Sequence, residues 1–189
     1  MNTFEYITAL VAVVIGLAIA DLATSLHRLL RHRTVIRWDW VSPLAALVIL
    51  AELFNLWWGW RGFTGTTMGE VLPYFVALIL IYLSASITLP DEVPAEGLDL
   101  GRYFDENRSY FWLVYPSYVA VWITLRSIDY LHHGLSVSDL WWEYYLDYLW
   151  IIVAYTMIFV RQRWVSGAVL LVALVLLGGG WSRAPDSPF

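Results

Sequence analysis

Six stretches of about 20 predominantly apolar residues follow one another along this 189-residue sequence, separated by short polar connections. A helix of that length can cross roughly 30 Å of hydrocarbon. Hydrophobic residues make up 60 % of the chain and charged residues only 14 %, so a water-soluble domain of this size would lack polar surface. We therefore expect an all-α, polytopic membrane protein. This excludes a disordered chain, a nucleic-acid-binding arm and an ordinary cytosolic enzyme.

The six predicted spans form a bundle, a single transmembrane domain that occupies residues 1–189. They cover about residues 4–27, 43–60, 71–89, 109–131, 140–160 and 164–181. The second span opens with Ser42 and Pro43, which are typical of an N-cap and of the first helical position. Because the connections are short, no soluble domain fits between the spans.

Arginine supplies all 11 basic residues, and its distribution predicts the orientation of the spans. Most of the arginines fall in connections that a six-span bundle places on one side: Arg28, Arg31, Arg33, Arg37, Arg102, Arg108, Arg161 and Arg163. Three lie toward the opposite side: Arg61, Arg126 and Arg183. Since arginine is enriched on the cytoplasmic side, we expect both termini outside. So small a bundle favours a homo-oligomer, most simply a dimer.

The connection at residues 91–108 is acidic and changes character along its length. Pro90 and Pro94 keep its first part extended, whereas Asp99 is placed to cap a short interfacial helix that leads into the fourth span. We interpret the connection as a solvated loop, with a docking site for a cytosolic partner as the alternative. In the first span, small residues recur every four positions, which favours close packing within this chain or with a second copy. They are Ala12, Gly16, Ala20 and Thr24.

Ionisable residues inside a spanning helix are costly and suggest function by default. Four acids lie deep in the predicted spans and a single base accompanies them: Asp21, Glu52, Glu143 and Asp147, with Arg126. Glu143 and Asp147 share one face of the fifth span, at a depth that matches Arg126 on the fourth. We expect an ion pair between Arg126 and one of these two acids, acting as a gate or a structural lock.

Three deep acids are then left without a basic partner, so each must be protonated, hydrated or matched by a cation. This favours a proton or cation pathway through His27, Asp21, Ser84 and Glu52, with Asn55 one turn farther along. The alternative is that the acids form hydrogen bonds that hold helices together. The tyrosines that could bind them are Tyr118, Tyr144, Tyr145, Tyr148 and Tyr155.

A metal ion is the third alternative for the polar residues. Asp129, His132 and His133 lie together at the outer end of the fourth span, and such side chains suit Zn²⁺ or a similar ion. Their spacing is loose, so no cofactor is predicted. The sequence has no P-loop, GxSxG or HExxH motif and no Cys, so we predict no catalytic residues. The expected partner is the lipid bilayer, with no nucleic acid.

Three segments resemble small multi-span proteins of bacterial inner membranes. They are GLAIADLATSLHRLL at residues 16–30, RWDW at 37–40 and NLWWG at 55–59. The resemblance brings no activity with it and implies only a bacterial inner-membrane origin. We expect a small oligomeric channel or transporter for protons or cations. The alternative is a membrane sensor, scaffold or assembly subunit that transports nothing.

Overall fold

The computed structural model describes residues 3–60, 68–132, 134 and 136–181, and this part of the chain is almost entirely helical. Its helices are α1 (Thr3–Arg31), α2 (Val41–Gly59), α3 (Met68–Thr88), α4 (Leu100–His132), α5 (Val137–Thr156) and α6 (Arg163–Trp181). Two short strands, β1 (Ile36–Arg37) and β2 (Leu98–Asp99), pair in parallel. The expected all-α class is confirmed, and each predicted span coincides largely with one helix, although α5 ends at Thr156, before the predicted bound of 160.

Three of the described helices are long and apolar enough to cross a membrane, which indicates a membrane protein. They are α2, α3 and the part of α1 that runs from Ile7 to Arg31. α6 contributes a shorter apolar segment, Arg163–Gly179. α4 and α5 are long as well, but they carry more charged and hydroxyl-bearing side chains, among them Arg126 and Asp147.

α2 lies at the centre of the fold, because it packs against α1, α3, α4 and α6. α3 packs against α1 and α4, and α5 packs back on α4 after the short connection that joins them. Aliphatic side chains fill the core, together with a run of buried aromatic residues on α4. That run consists of Phe111, Trp112, Tyr115, Tyr118 and Trp122.

The small residues of α1 lie on its exposed face. Val11, Ile15, Ala18 and Leu22 form the buried face of this helix, whereas the exposed set comprises Ala12, Gly16, Ala20 and Thr24. A Cβ atom added to Gly16 would meet no described atom within 4 Å. The stripe of small residues is therefore not used for helix packing within the described part of this chain.

The short interfacial helix expected before the fourth span is not a separate element. Residues 100–108 form the first turns of α4, which continues without interruption to His132. The reason is that no Gly or Pro lies between Gly101 and Pro116 to end the helix. Asp99 caps this helix as expected, because its Oδ1 accepts a hydrogen bond from the backbone N–H of Arg102 at 3.0 Å.

α2 begins before Ser42, so the prediction that Ser42 is its N-cap is wrong. The helix starts at Val41, whose backbone N–H donates to Oδ1 of Asp39 at 2.9 Å. Asp39 thus supplies the acceptor that the first turn needs. Ser42 is buried inside the helix, and its hydroxyl donates to the backbone carbonyl of Leu100 on α4 at 3.4 Å.

Candidate functional site

Glu52 on α2 is buried where the central helix meets α4, with only 6 % of its surface exposed. The hydroxyl of Tyr115 on α4 donates a hydrogen bond to Glu52 Oε1 at 3.0 Å. Asn55 and Tyr118 lie close enough to interact with the same carboxylate, and Asp147 on α5 lies within electrostatic range of it. We call these five residues the Glu52 cluster. It places two carboxyl groups and two phenol hydroxyls in one group inside the helix bundle.

Aromatic rings from α4 and α5 pack against Tyr115 of the Glu52 cluster. The ring of Tyr115 packs edge to face against Trp150, with 5.2 Å between the ring centroids, and lies 5.5 Å from the ring of Phe111. Within the described residues, the indole N–H of Trp150 is buried without a hydrogen-bond partner. The surroundings of the Tyr115–Glu52 hydrogen bond are therefore largely aromatic.

Arg126 lies in the C-terminal part of α4 and is half-buried. Its guanidinium is 5.7 Å from the centroid of the Trp122 ring, within the range of a cation–π interaction. Tyr144 on α5 interacts electrostatically with both Arg126 and Glu143, so these side chains share one region between the two helices. Glu143 is exposed and Asp147 is half-buried. The ion pair of Arg126 with one of these acids stays a prediction.

The remaining pathway residues are placed apart from the Glu52 cluster. Asp21 is half-buried and interacts electrostatically with Asp91, at the beginning of the acidic connection. Ser84 is buried, and its hydroxyl donates at 2.8 Å to a backbone carbonyl of its own helix. His27 is exposed. The structure thus brings Glu52 together with α4 and α5, and it places Asp21 in a different group of polar residues.

Two of the residues considered for a metal site, Asp129 and His132, lie in the last turn of α4. Asp129 is half-buried and His132 is exposed, whereas His133 lies outside the described residues. Among residues 3–60, 68–132, 134 and 136–181, no group of three or more His, Cys, Asp or Glu side chains is arranged to hold a metal ion. Because His133 lies outside these residues, the metal site considered from the sequence stays a hypothesis.

A second polar group lies where α2, α4 and α6 begin, and it joins the connections that lead into these three helices. Arg163 at the start of α6 binds Asp105 through two hydrogen bonds of 2.6 and 3.2 Å, and its Nη1 lies 3.4 Å from Asp39. The hydrogen bond with Asp105 raises the pKa of the Arg163 guanidinium. Arg37 pairs with Asp99 at 3.5 Å. These contacts bring the arginine-bearing connections to one end, in agreement with the distribution of arginine in the sequence.

The acidic connection is attached to the rest of the protein by its backbone. The N–H of Leu98 donates to the carbonyl of Val35 at 3.2 Å, and the Arg28 guanidinium donates to the carbonyl of Asp91. Gly97 has a φ of +97°, a conformation that side-chain-bearing residues rarely adopt. The carboxylates of this connection are largely exposed, as the interpretation of a solvated loop requires, but its backbone path is defined by these contacts.

Sequence reasoning missed Tyr115 and the partners of Arg163. Tyr115 precedes Tyr118 by three residues and so shares its helix face, which was the available signal. Arg163 was used only to orient the spans, and its partners Asp39 and Asp105 lie far away in the sequence. No protein-family model, curated protein or solved structure matches this chain.

Proposed function

We propose that this chain is a six-span protein of a bacterial inner membrane, with both termini outside, that moves protons or small cations. The observation that supports it is the Glu52 carboxylate, buried between helices with Tyr115 as its hydrogen-bond partner and Asp147 within electrostatic range. Two nearby acids repel each other when both are ionised. Binding of a proton or a small cation at Glu52 would relieve that repulsion and the cost of burying its charge.

The Glu52 cluster has the chemistry that a proton relay needs. A tyrosine hydroxyl both donates and accepts hydrogen bonds, and a carboxyl group donates when protonated and accepts when ionised. The hydroxyl of Tyr118 lies close enough to interact with the Glu52 carboxylate. In a relay, this hydroxyl would donate its proton to the Glu52 carboxylate and accept a replacement proton from the next donor on the route, and its rotation would then reset it. Small cations would instead be held by the carboxylates and by the amide oxygen of Asn55.

The outer and inner halves of the proposed pathway differ in their residues. Toward the outer end, Arg126 with Glu143 or Asp147 would act as a gate, because moving an ion pair changes the charge that an entering cation meets. Toward the inner end, Asp21 would receive the proton or cation after Glu52, with Ser84 and His27 beside this half of the route. A second copy of the chain would enlarge the narrow bundle, as expected for a small homo-oligomer.

Flux measurements on purified protein in liposomes test the proposal. With a pH-sensitive dye inside the vesicles, the unmodified chain should acidify them faster than protein-free vesicles do when a potential is applied. Glu52→Gln should abolish this flux, because an amide neither binds nor releases a proton. Glu96→Gln is the matched control, since Glu96 is an exposed acid outside the spans, and it should leave the flux unchanged.

The non-transporting sensor, scaffold or assembly subunit is the second candidate, and the Tyr115–Glu52 bond also supports it. Hydrogen bonds between polar side chains commonly hold membrane helices together. In that case the unmodified chain gives no flux above that of protein-free vesicles, and Glu52→Gln changes only stability. Undiminished flux in both Asp21→Asn and Glu52→Gln would likewise contradict transport through these acids.

A further inference from the structure

An open pocket of about 440 Å³ lies at the inner end of α1, beside the start of the acidic connection. Arg28, Asp91, Glu92 and Val93 line it, so one guanidinium shares the pocket with two carboxylates. Asp21 lies two turns before Arg28 on the same helix and interacts electrostatically with both Arg28 and Asp91. The pocket therefore presents both signs of charge, with negative charge in excess.

Specific contacts define the walls of this pocket. The Arg28 guanidinium donates a hydrogen bond to the backbone carbonyl of Asp91, which ties the connection to α1. Ser25, only 3 % exposed, lies on the same side and its hydroxyl is 3.4 Å from Asp91 Oδ1. A guanidinium has several N–H donors, so Arg28 retains donors for a ligand. Asp91 and Glu92 are both exposed, and their carboxylates are accessible to a cationic group.

Beyond Thr24 and Asp21, the face of α1 that continues from the pocket is apolar and open. Leu17 and Leu10 precede Arg28 by about three and five helical turns, so they share its angular position on the helix. Leu17 is 57 % exposed and Leu10 is 43 % exposed, as expected of side chains that face hydrocarbon. An acyl chain can lie along this face while the group attached to it occupies the charged pocket.

We propose that this pocket binds the headgroup of a phospholipid that carries a primary ammonium group. The ammonium would lie between Asp91 and Glu92, and the phosphate would bind Arg28. Charge complementarity selects this class, because an anionic headgroup without an amine would meet the carboxylates unfavourably. A trimethylated ammonium has no N–H to donate to them. The site requires only that α1 lies in a membrane, and it does not depend on transport by the chain.

Native mass spectrometry of the full chain tests this proposal. The protein would be extracted from vesicles that contain equal amounts of phosphatidylethanolamine, phosphatidylcholine and phosphatidylglycerol. We expect it to retain phosphatidylethanolamine in preference to the other two lipids. The double variant Asp91→Asn with Glu92→Gln should retain at least about fivefold less, because charge-assisted hydrogen bonds are lost. Glu96→Gln, an exposed acid of the same connection outside the pocket, should retain as much as the unmodified chain.

Three results would overturn the proposal: equal retention of the three lipids, preferential retention of phosphatidylglycerol, or undiminished retention by the double variant. Circular dichroism and size-exclusion chromatography establish that each variant is folded. Should the double variant not fold, Glu92→Gln alone makes the same comparison, since the Glu92 side chain makes no hydrogen bond or ion pair to the described residues. Free phosphoethanolamine should compete with the retained lipid, and a failure to compete contradicts recognition through the headgroup.

Discussion

The hydroxyl of Tyr115 on α4 donates a hydrogen bond to Oε1 of Glu52 on α2 across 3.0 Å, and both residues are buried. A carboxyl group at such a position is costly unless it has a partner. The phenol supplies that partner without adding a charge. Because the acceptor is the Glu52 carboxyl group, a change in its ionisation changes the strength of this contact between α2 and α4.

Tyr115→Phe should lower the free energy of unfolding by about 1 kcal/mol, because it removes one interhelical hydrogen bond and leaves the ring in place. Unfolding in mixed micelles with increasing denaturing detergent measures this change. Tyr110→Phe is the matched control on the same helix, since Tyr110 is 42 % exposed. Equal losses in the two variants would contradict a special role for the Tyr115 hydroxyl.

Arg126→Gln should destabilise the protein more than the same change made together with Asp147→Asn or Glu143→Gln. Removing the base alone leaves an uncompensated acid between helices, whereas removing both charges does not. We expect a coupling of at least about 1 kcal/mol with one of the two acids in a double-mutant cycle. If neither acid couples to Arg126, the ion pair expected from the sequence does not form.

Arg163→Lys should lose most of the interaction with Asp105, because an ammonium cannot form the two hydrogen bonds of 2.6 and 3.2 Å that the guanidinium makes. Both side chains are 40 % exposed, so the coupling should be only about 0.5–1 kcal/mol and should weaken at high salt. A double-mutant cycle with Asp105→Asn measures it. Arg102 and Glu106 provide the comparison, and their more exposed pair should couple less.

Gly97→Ala should destabilise the protein more than Gly134→Ala, although both glycines have positive φ angles of +97° and +83°. A Cβ atom on Gly97 would lie 2.5 Å from the backbone oxygen of Val35, whereas one on Gly134 would meet no described atom within 4 Å. We expect a cost of about 2 kcal/mol or more at Gly97 and about 1 kcal/mol at Gly134. Thermal unfolding of the two variants makes the comparison, and equal costs would contradict it.

The stability that Asp99 contributes should depend on pH. The backbone N–H of Arg102, with a smaller contribution from Arg37, lowers the pKa of Asp99 below its ordinary value of 3.8. A lowered pKa in the folded state means that the contribution is present above pH 3.8 and is lost as the pH falls through the folded-state pKa. The unmodified chain should therefore lose its advantage over Asp99→Asn in acid. A stability difference that does not change between pH 6 and 3 would contradict this.

Hydropathy predicts the helices of this chain because helix formation in an apolar segment is a local property. The stretch around Ile49 and the stretch that ends at Thr88 are long apolar runs, and the structure makes each of them one helix. Asp99 was likewise identified as a cap from its position before a helical pattern, and the cap is present. Asp39 and Ser42 are both residues that can accept a hydrogen bond from the first turn of α2. The sequence pattern favours Ser42 and so places the start of the helix too late, because Asp39 is the acceptor in the structure.

Contacts between distant segments could not be predicted in the same way. The sequence offers several tyrosines as partners for Glu52, and only the rotation of α4 about its axis brings Tyr115 to the carboxylate. The pairing of Ile36 with Leu98 involves two residues on each strand, which is too short for a recognisable pattern. The Asp39–Arg163–Asp105 group depends on the packing of α6 against α2, which hydropathy does not specify.

The parallel pairing of β1 with β2 also has a consequence for the order in which the protein can be assembled. Ile36 leaves the ribosome well before its partner Leu98, and Arg163 follows much later than both acids that it binds. The first three helices must therefore be synthesised before the connections at this end can associate. The sixth helix then completes the group through Arg163. Chains that stop before residue 98 cannot form the pair of β1 with β2. Chains that stop between residues 99 and 163 can form that pair and lack only the contacts made by Arg163.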